Sequence, residues 1–240
     1  MRSNRPPIRA AVPANDNPME VGSTDWKALI RREAAAIAIE PTPSQLEAFS
    51  IHARELLFWN RRSNLTAIAD PAQMAVKHFV DSVVPSGWMP TGAAVLDVGS
   101  GAGFPGIPLK VVRPDLSVTL IDAVRKKVSF VKHVIRCLGL SGIEAVHVRA
   151  EQMADAKGHG TRRRFDVVVS RAVGAPEALV PLAVPLLDEN GILVAMRGKP
   201  PPGPSAIGTR FGPLRVFAAF DYRLPGTEAD RSIWCLHRAP

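Results

Sequence analysis

Apolar residues in the first third of the chain recur at three- and four-residue spacing. Trp26, Leu29, Ile30, Ala34 and Ile37 share one stripe, which predicts a helix from Thr24 to about Glu40. Pro41-Thr-Pro-Ser breaks it. Ser44, with Glu47 three residues on, reads as a capping box opening a second helix that carries Leu46, Phe49, Ile51, Leu56, Leu57 and Trp59. Asp70-Pro71 starts a third, through Met74, Phe79 and Val83. The rhythm then changes. Short apolar runs alternate with amphipathic segments: strands at Ala93–Val98, Ser117–Ile121, Ile143–Val148, Phe165–Ser170 and Gly191–Met196 are separated by helices at Ile107–Val112, Val124–Leu138, near Glu151 and at Pro176–Leu186. Regular β/α alternation with apolar strands implies a parallel sheet covered on both faces. Leu214–Phe220 and Ser232–His237 read as an antiparallel pair at its edge.

The predicted fold is therefore α/β and Rossmann-like, a mostly parallel sheet with antiparallel C-terminal strands and an N-terminal helical extension. Three regions follow: a flexible basic tail over 1–22, a helical region over 23–90 packed on the core, and a ligand-binding core over 91–240. The tail carries four prolines and three arginines and little to bury. Met19 is a second candidate start.

Composition narrows the class. At 240 residues and 46% hydrophobic, the chain can bury a real core. Its net charge of +8 suits a polyanionic partner, nucleic acid before membrane, or simply a solvated basic surface. Two cysteines, Cys137 and Cys235, are too few for a disulfide framework or a cysteine-based metal site, and no metal is expected. No apolar run reaches the ~18 residues of a membrane span. The expectation is a cytoplasmic monomer with reduced thiols and no membrane partner.

Candidate chemistry starts where the first strand ends, at DVGSGAGFPG, Asp97 to Gly106. From Gly101 it reads G-x-G-x-x-G, the letters of a dinucleotide turn, but a lone match is weak. The strand runs up to Val98, so the turn begins at Gly99, and a dinucleotide fingerprint then wants glycine where Phe104 stands. Asp97 at the strand end opposes phosphate and attracts a cation. S-adenosyl-L-methionine has a sulfonium, an ammonium and no phosphate, so these charges favour it. The alternative is that Asp97 only hydrogen-bonds amides of its own turn. Asp122, closing the next strand, is placed to accept ribose hydroxyls.

With these residues in hand, the chain resembles the bacterial 16S rRNA guanine-N7 methyltransferases, the RsmG or GidB family. DVGSGAGFPGIPL looks like that family's S-adenosylmethionine turn. Trp59-Asn60, Asn64-Leu65-Thr66-Ala67 and Lys77-His78-Phe79-Val80-Asp81-Ser82 look like its WNxxxNLTA and RHxLDS signatures, and Val169-Ser170-Arg171-Ala172 like its S-R-A. The likeness runs from about Thr24 to Gly198. It implies a class I methyltransferase fold that moves a methyl group from S-adenosylmethionine to guanine N7 in 16S rRNA or a small-subunit precursor. It implies that Gly99, Gly101, Gly103, Phe104, Asp122, Ala150, Glu151 and Arg171 bind the cofactor. Glu151 has a second reading, as a helix N-terminal acid facing the dipole. The family's L-K-G is Met196-Arg197-Gly198 here, which replaces a point charge with a planar fork. The loop from Lys157 to Arg164 is longer and more basic than the family's.

Guanine N7 has an in-plane lone pair and no proton to lose, so methyl transfer to it needs no general base. Arg171 and Arg197, at the ends of two strands, are the candidates for positioning substrate. Asp97 is a candidate for countering the cationic product by position only. His78 and Trp59 read first as packing residues, and Asn64 as a turn cap or pocket residue. Arg61-Arg62, Arg125-Lys126-Lys127 and Arg162-Arg163-Arg164 form an RNA track if they share the pocket face. Two other readings remain open at this point: a dinucleotide-dependent oxidoreductase using the Gly101 register, and a non-catalytic RNA-binding relict. Ser170-Arg171-Ala172-Val173 is not the N/D-P-P-Y pattern that exocyclic amine methylation usually wants.

Overall fold

The computed structural model describes residues 19–154, 164–171, 176–198 and 206–239. An eight-stranded sheet forms its centre, in the order β3-β2-β1-β4-β5-β8-β7-β6. The strands are β1 (Ala94–Val98), β2 (Ser117–Asp122), β3 (Ile143–His147), β4 (Phe165–Arg171), β5 (Leu187–Arg197), β6 (Arg210–Phe211), β7 (Leu214–Arg223) and β8 (Asp230–Arg238). The first five run parallel, while β8 pairs antiparallel to both β5 and β7. The chain builds outward from β1 through β2 to β3, then returns to β4 on the other side of β1. The strand order thus reverses between β1 and β4, and such a switch point opens a crevice beyond the strand ends.

Strand alternation sorts the core into two layers. Val95, Val167, Val169, Val194, Met196, Ile233 and Cys235 face one side; Leu96, Val98, Val168, Leu193, Ala195, Trp234 and Leu236 face the other. The first side is covered by α1 (Thr24–Ala35), α2 (Pro43–Ser63), α5 (Gly106–Val112) and α6 (Arg125–Cys137), through Trp26, Phe49, Ile107 and Phe130. The second is covered by α7 (Ala150–Ala154) and α8 (Pro176–Ala183), through Ala150, Leu179 and Val180. Between α2 and β1 the chain forms α3 (Pro71–Met74), a π-helical turn (Ala75–Val80), α4 (Asp81–Val83) and a 3-10 turn (Val84–Trp88). Trp26, Phe49 and Phe79 are fully buried, with Phe79 edge-on to Trp26 at 5.5 Å and tilted on Phe49 at 5.1 Å. Burying each ring stabilises the helical layer by about 2–3 kcal/mol.

Several boundaries differ from the sequence reading. α1 stops at Ala35, and Ala38 turns left-handed at φ 58°. The capping box of α2 is Thr42 with Gln45, not Ser44 with Glu47. Thr42 Oγ1 accepts from the Gln45 amide at 3.3 Å, and Gln45 Oε1 accepts from the Thr42 amide at 2.8 Å. Pro43 takes the first helical position, where its missing N–H is harmless. That places the cap one residue before the proline and frees Glu47 to pair with Lys27 and Arg54. α8 ends at Ala183, and β5 starts at Leu187, bulging between the Phe165 and Val167 pairings. Met19 and Val21 pack against the core, and residues 1–18 of the basic tail lie outside the described residues.

Candidate active site

The glycine turn sits at the strand-order reversal. Gly99, Gly101 and Gly103 all have positive φ (72°, 58° and 88°). The Gly99 and Ser100 amides both bond the Ile121 carbonyl at 3.0 Å, folding the turn over the end of β2. The glycines do different work. A Cβ on Gly101 meets nothing closer than 4.0 Å, so this backbone is open to a ligand. A Cβ on Gly103 lands 2.5 Å from Ile107 Cδ1, so this glycine lets the turn close onto α5. Gly99 and Gly101 line the cleft; Gly103 is not among its lining residues.

Asp97 answers to strand alternation. It lies on the Val95 side of β1, under α5, and is fully buried. Its Oδ2 accepts the Gly106 amide at 2.8 Å, while its Oδ1 has no partner among the described residues. Burial raises its pKa to about 7, against the Gly106 bond and Arg171, which lower it, and with help from Asp122. Asp97 therefore holds the start of α5 through the Gly106 amide. Asp122 Oδ2 accepts the Gly101 amide at 3.0 Å and Oδ1 the Val124 amide at 2.8 Å, with Lys127 Nζ at 3.9 Å. Each oxygen keeps a lone pair for one more donor.

Phe104 is 4% exposed and sandwiched between two imidazoles, His52 at 4.6 Å and His78 at 4.5 Å, both within 12° of parallel. It forms a wall of the cleft. His52 Nε2 donates to the Ala102 carbonyl at 2.9 Å, which clamps the turn to α2. Burial lowers the His52 pKa to about 4. Burial, then Arg171 and His52, lower that of His78 to about 3. Both rings are neutral near pH 7. The Arg171 guanidinium faces His78 Nδ1 at 3.4 Å, so His78 Nε2 carries the proton and donates to Thr66 Oγ1 at 2.9 Å. Thr66 is placed by Asn60, whose side chain accepts the Leu65 and Thr66 amides and donates to the Thr66 carbonyl. Asn64 is the left-handed cap of α2 (φ 43°), and Trp59 packs edge-on against Phe130.

The π-helical turn shifts the backbone ladder. The Asp81 amide bonds the Val76 carbonyl, and the Lys77 carbonyl accepts Arg171 Nη1 at 2.8 Å. Buried Asp81 accepts from Tyr222 Oη at 2.8 Å and lies 3.5 Å from both Arg171 Nη1 and Arg231 Nε. Burial pulls Arg171 below the usual guanidinium range, with Asp81 and Asp97 opposing. Arg197, at the end of β5, lies over Trp234 with its guanidinium carbon 4.1 Å from the ring centre.

Three neighbouring cavities share these residues. A cavity of about 370 Å³ is lined by Thr66, Gly99, Gly101, Phe104, Asp122 and Lys127, among others. One of about 190 Å³ continues past Gly99 and Asp122 to Ala150 and Glu151. One of about 320 Å³ on the other side is lined by Lys77, Asp81, Arg197, Tyr222 and Arg231. Arg171 and His78 border the first and the last. Of the residues singled out from sequence, the structure gathers Gly99, Gly101, Phe104, Asp122, Ala150, Glu151, Arg171 and Arg197. Lys127, read from the sequence as part of an RNA track, lines the cofactor cleft instead, and Thr66, Tyr222 and Arg231 are site residues that the sequence reading gives no cofactor or substrate role. The two from β7 and β8 carry no local signal, because only the antiparallel pairing brings them to Asp81. Arg164 precedes β4 and donates to the Leu187 carbonyl at 3.2 Å. It sits at the opposite end of the strand from Arg171, roughly 20 Å away along the strand. Arg162 and Arg163 lie outside the described residues, as do Ala172 and most of the loop that follows β5.

The sheet order, with an antiparallel strand beside β5 and a glycine turn after β1 faced by an acid after β2, defines a class I S-adenosylmethionine-dependent methyltransferase. The residues fit that cofactor: an open backbone at Gly101, an acceptor at Asp122, and no Gly at position 104 for a pyrophosphate. The family model of the rRNA small subunit methyltransferase G, GidB, matches residues 45–202, and the chain belongs to that family. A ribosomal RNA small subunit methyltransferase G from Geobacter sp. (strain M21) is 40% identical over 220 residues, 88% of this chain and 97% of the relative. Another from Geobacter metallireducens is 43% identical over 174 residues, 72% and 77% of the two chains. Among solved structures, MtNAS in complex with MTA and tNA aligns with a TM-score of 0.50 and 15% identity, over 89% of this chain and 71% of that one, a likeness of fold alone. The chain is thus an S-adenosylmethionine-dependent rRNA methyltransferase, and the dinucleotide-oxidoreductase and non-catalytic readings fall away. Among the described residues, no helix is long and apolar enough to cross a membrane.

Proposed function

We propose that the chain methylates N7 of a guanine in 16S rRNA, and that the guanine enters the cavity between Lys77, Asp81, Arg197 and Tyr222. The observation that carries this reading is the shared border formed by Arg171 and His78, with the glycine turn on one side and a cation-rimmed pocket on the other. S-adenosylmethionine supplies an electrophilic methyl group when bound. The open backbone at Gly99 and Gly101 and the Asp122 carboxylate would hold its ribose end, Phe104 would wall the cleft, Gly103 would let the turn close onto α5, and Ala150 with Glu151 would receive the adenine. Arg171 and Arg197 position the base or its phosphate, with a fork that matches guanine O6 or a phosphate oxygen.

No residue acts as a base in this reading. His78 is neutral and already committed to Thr66 and Arg171, which suits an acceptor with a free lone pair. Alkylated guanine gains positive charge. Asp81, lining the base cavity, is the carboxylate placed to offset it, rather than Asp97 under α5. In this scheme residues 23–90 supply His52, Thr66, Lys77, His78 and Asp81, and residues 91–240 supply the glycine turn, Asp122, Lys127 and the strand-end residues. In the same scheme the enzyme acts as a monomer in the cytoplasm, where ribosomes are built.

The test is methyl transfer to 16S rRNA, both deproteinised and within assembled small subunits, followed by mapping of N7-methylguanine. A single N7 product is expected. Methyl groups found on other atoms, with none at N7, sink the proposal.

A further inference from the structure

Away from the cleft, three unlike donors converge where α2 meets α6. Glu55 Oε2 lies 2.7 Å from His133 Nε2, and Cys137 Sγ lies 3.4 Å from the same nitrogen. All three ligand atoms fall within 4.8 Å of one another. His133 and Cys137 are one helical turn apart on α6, so their side chains share a face, and Glu55 approaches from the neighbouring helix. Counting cysteines misses such a set, because one thiol is joined by an imidazole one helical turn away and by a carboxylate that lies 78 residues before that imidazole.

We propose that Glu55, His133 and Cys137 form a binding site for a borderline divalent transition metal of the zinc type. Thiolate, imidazole and carboxylate are the donors zinc prefers, at about 2.0–2.3 Å each. Two such ligands at a tetrahedral angle stand about 3.3–3.7 Å apart. The sulfur–nitrogen separation is already in that range, and the shorter oxygen–nitrogen contact opens to it with a small side-chain rotation. One thiolate and one carboxylate balance the charge of a divalent ion. On binding, the thiol proton leaves to solvent, and the imidazole carries its proton on Nδ1, leaving Nε2 to the metal. Cys137 is exposed, so the fourth position takes water.

The site would tie α2 to α6. α2 carries His52, whose Nε2 holds the Ala102 carbonyl of the glycine turn, and α6 follows directly on the Asp122 loop. The metal is thus placed to stiffen the scaffold behind the cofactor cleft without touching it.

Tag-free full-length protein titrated with Co²⁺ should give one saturable equivalent with a thiolate-to-cobalt charge-transfer band, and Zn²⁺ should displace it. Cys137→Ser should abolish the band, and Cys235→Ala should keep it. His133→Gln and Glu55→Gln should each weaken zinc, read against a chromophoric chelator, by at least about tenfold. Circular dichroism of each metal-free variant checks that the fold persists. Zinc at about a hundredfold over its Kd should raise the Tm of the wild type by ~5 °C or more and leave that of Cys137→Ser unmoved. Absence of saturable binding by the wild type, or a band that survives Cys137→Ser, overturns the proposal.

Discussion

The imidazole of His78 stacks on the ring of Phe104, with centroids 4.5 Å apart and planes 11° from parallel. His52 repeats the contact on the opposite face of the same ring. One helical segment on each side therefore grips the residue that follows the last glycine of the turn. The stack joins α2 and the π-helical turn to the cofactor loop, and it works only while both imidazoles are uncharged. A charged pair flanking a buried ring loses solvation with no counter-ion at His52, whose Nε2 faces a carbonyl and whose Nδ1 has no partner among the described residues.

That relationship sets a pH dependence. The folded pKa values of His52 and His78, about 4 and about 3, lie below the ordinary 6.5, so the unfolded chain binds more protons and stability rises with pH from about 4 to 6.5. Asp97 acts in the opposite sense. Its folded pKa of about 7 exceeds the ordinary 3.8, so its contribution falls as pH rises through the same window. Two histidines against one aspartate leave a net loss on acidification of about 1 kcal/mol per pH unit near pH 5. Urea unfolding between pH 4.5 and 7 measures it. His78→Gln should flatten the slope, and Asp97→Asn should steepen it.

Gly103 offers a test of stability apart from ligand binding. An added Cβ meets Ile107 Cδ1 at 2.5 Å and sits at φ 88°. Overpacking and left-handed strain together put the cost of Gly103→Ala at about 3 kcal/mol. Gly101→Ala has no such clash, though its φ of 58° still costs about 1 kcal/mol. Denaturant midpoints should fall much further for the first variant. S-adenosylhomocysteine affinity should fall further for the second, measured below its unfolding transition.

Asp122→Ala removes the acceptor for the Gly101 and Val124 amides along with the proposed ribose acceptor. Calorimetric titration with S-adenosylhomocysteine should show affinity lower by about 100-fold, consistent with two or three lost hydrogen bonds. Asp122→Asn keeps one acceptor oxygen and should lose about tenfold. Equal affinities for the wild type and the alanine variant would show that the carboxylate only shapes its own loop.

The sheet and its glycine turn are legible in the sequence because period-two alternation and a strand that stops at glycines are local signals. The Thr42 cap is less so, since Ser44 and Glu47 present the same letters two residues on and only Pro43 marks the true start. Asp97 shows the limit for the site. Its place at a strand end suggests a ligand, but its side of the strand is set by the parity that buries Val95, and that directs it to Gly106. Tyr222 and Arg231 reach Asp81 across about 140–150 residues, through a β7–β8 register no local pattern encodes. Phe104 is visible as a departure from a dinucleotide turn, yet the histidines that hold it come from two separate helical segments.

The last prediction concerns which charges meet RNA. Arg197 borders the proposed base cavity and Arg164 lies at the far end of β4, bonded to the Leu187 carbonyl. Both changes to alanine remove one positive charge, so net charge alone predicts equal effects. Counterion release depends on which phosphates are contacted. Arg197→Ala should reduce the slope of log K against log salt by about 0.7–0.9, the value of one phosphate contact. Arg164→Ala should leave it unchanged. Binding of a 16S rRNA fragment across a salt series distinguishes them. A slope that drops for Arg164→Ala and not for Arg197→Ala would move the RNA path to the opposite end of the sheet.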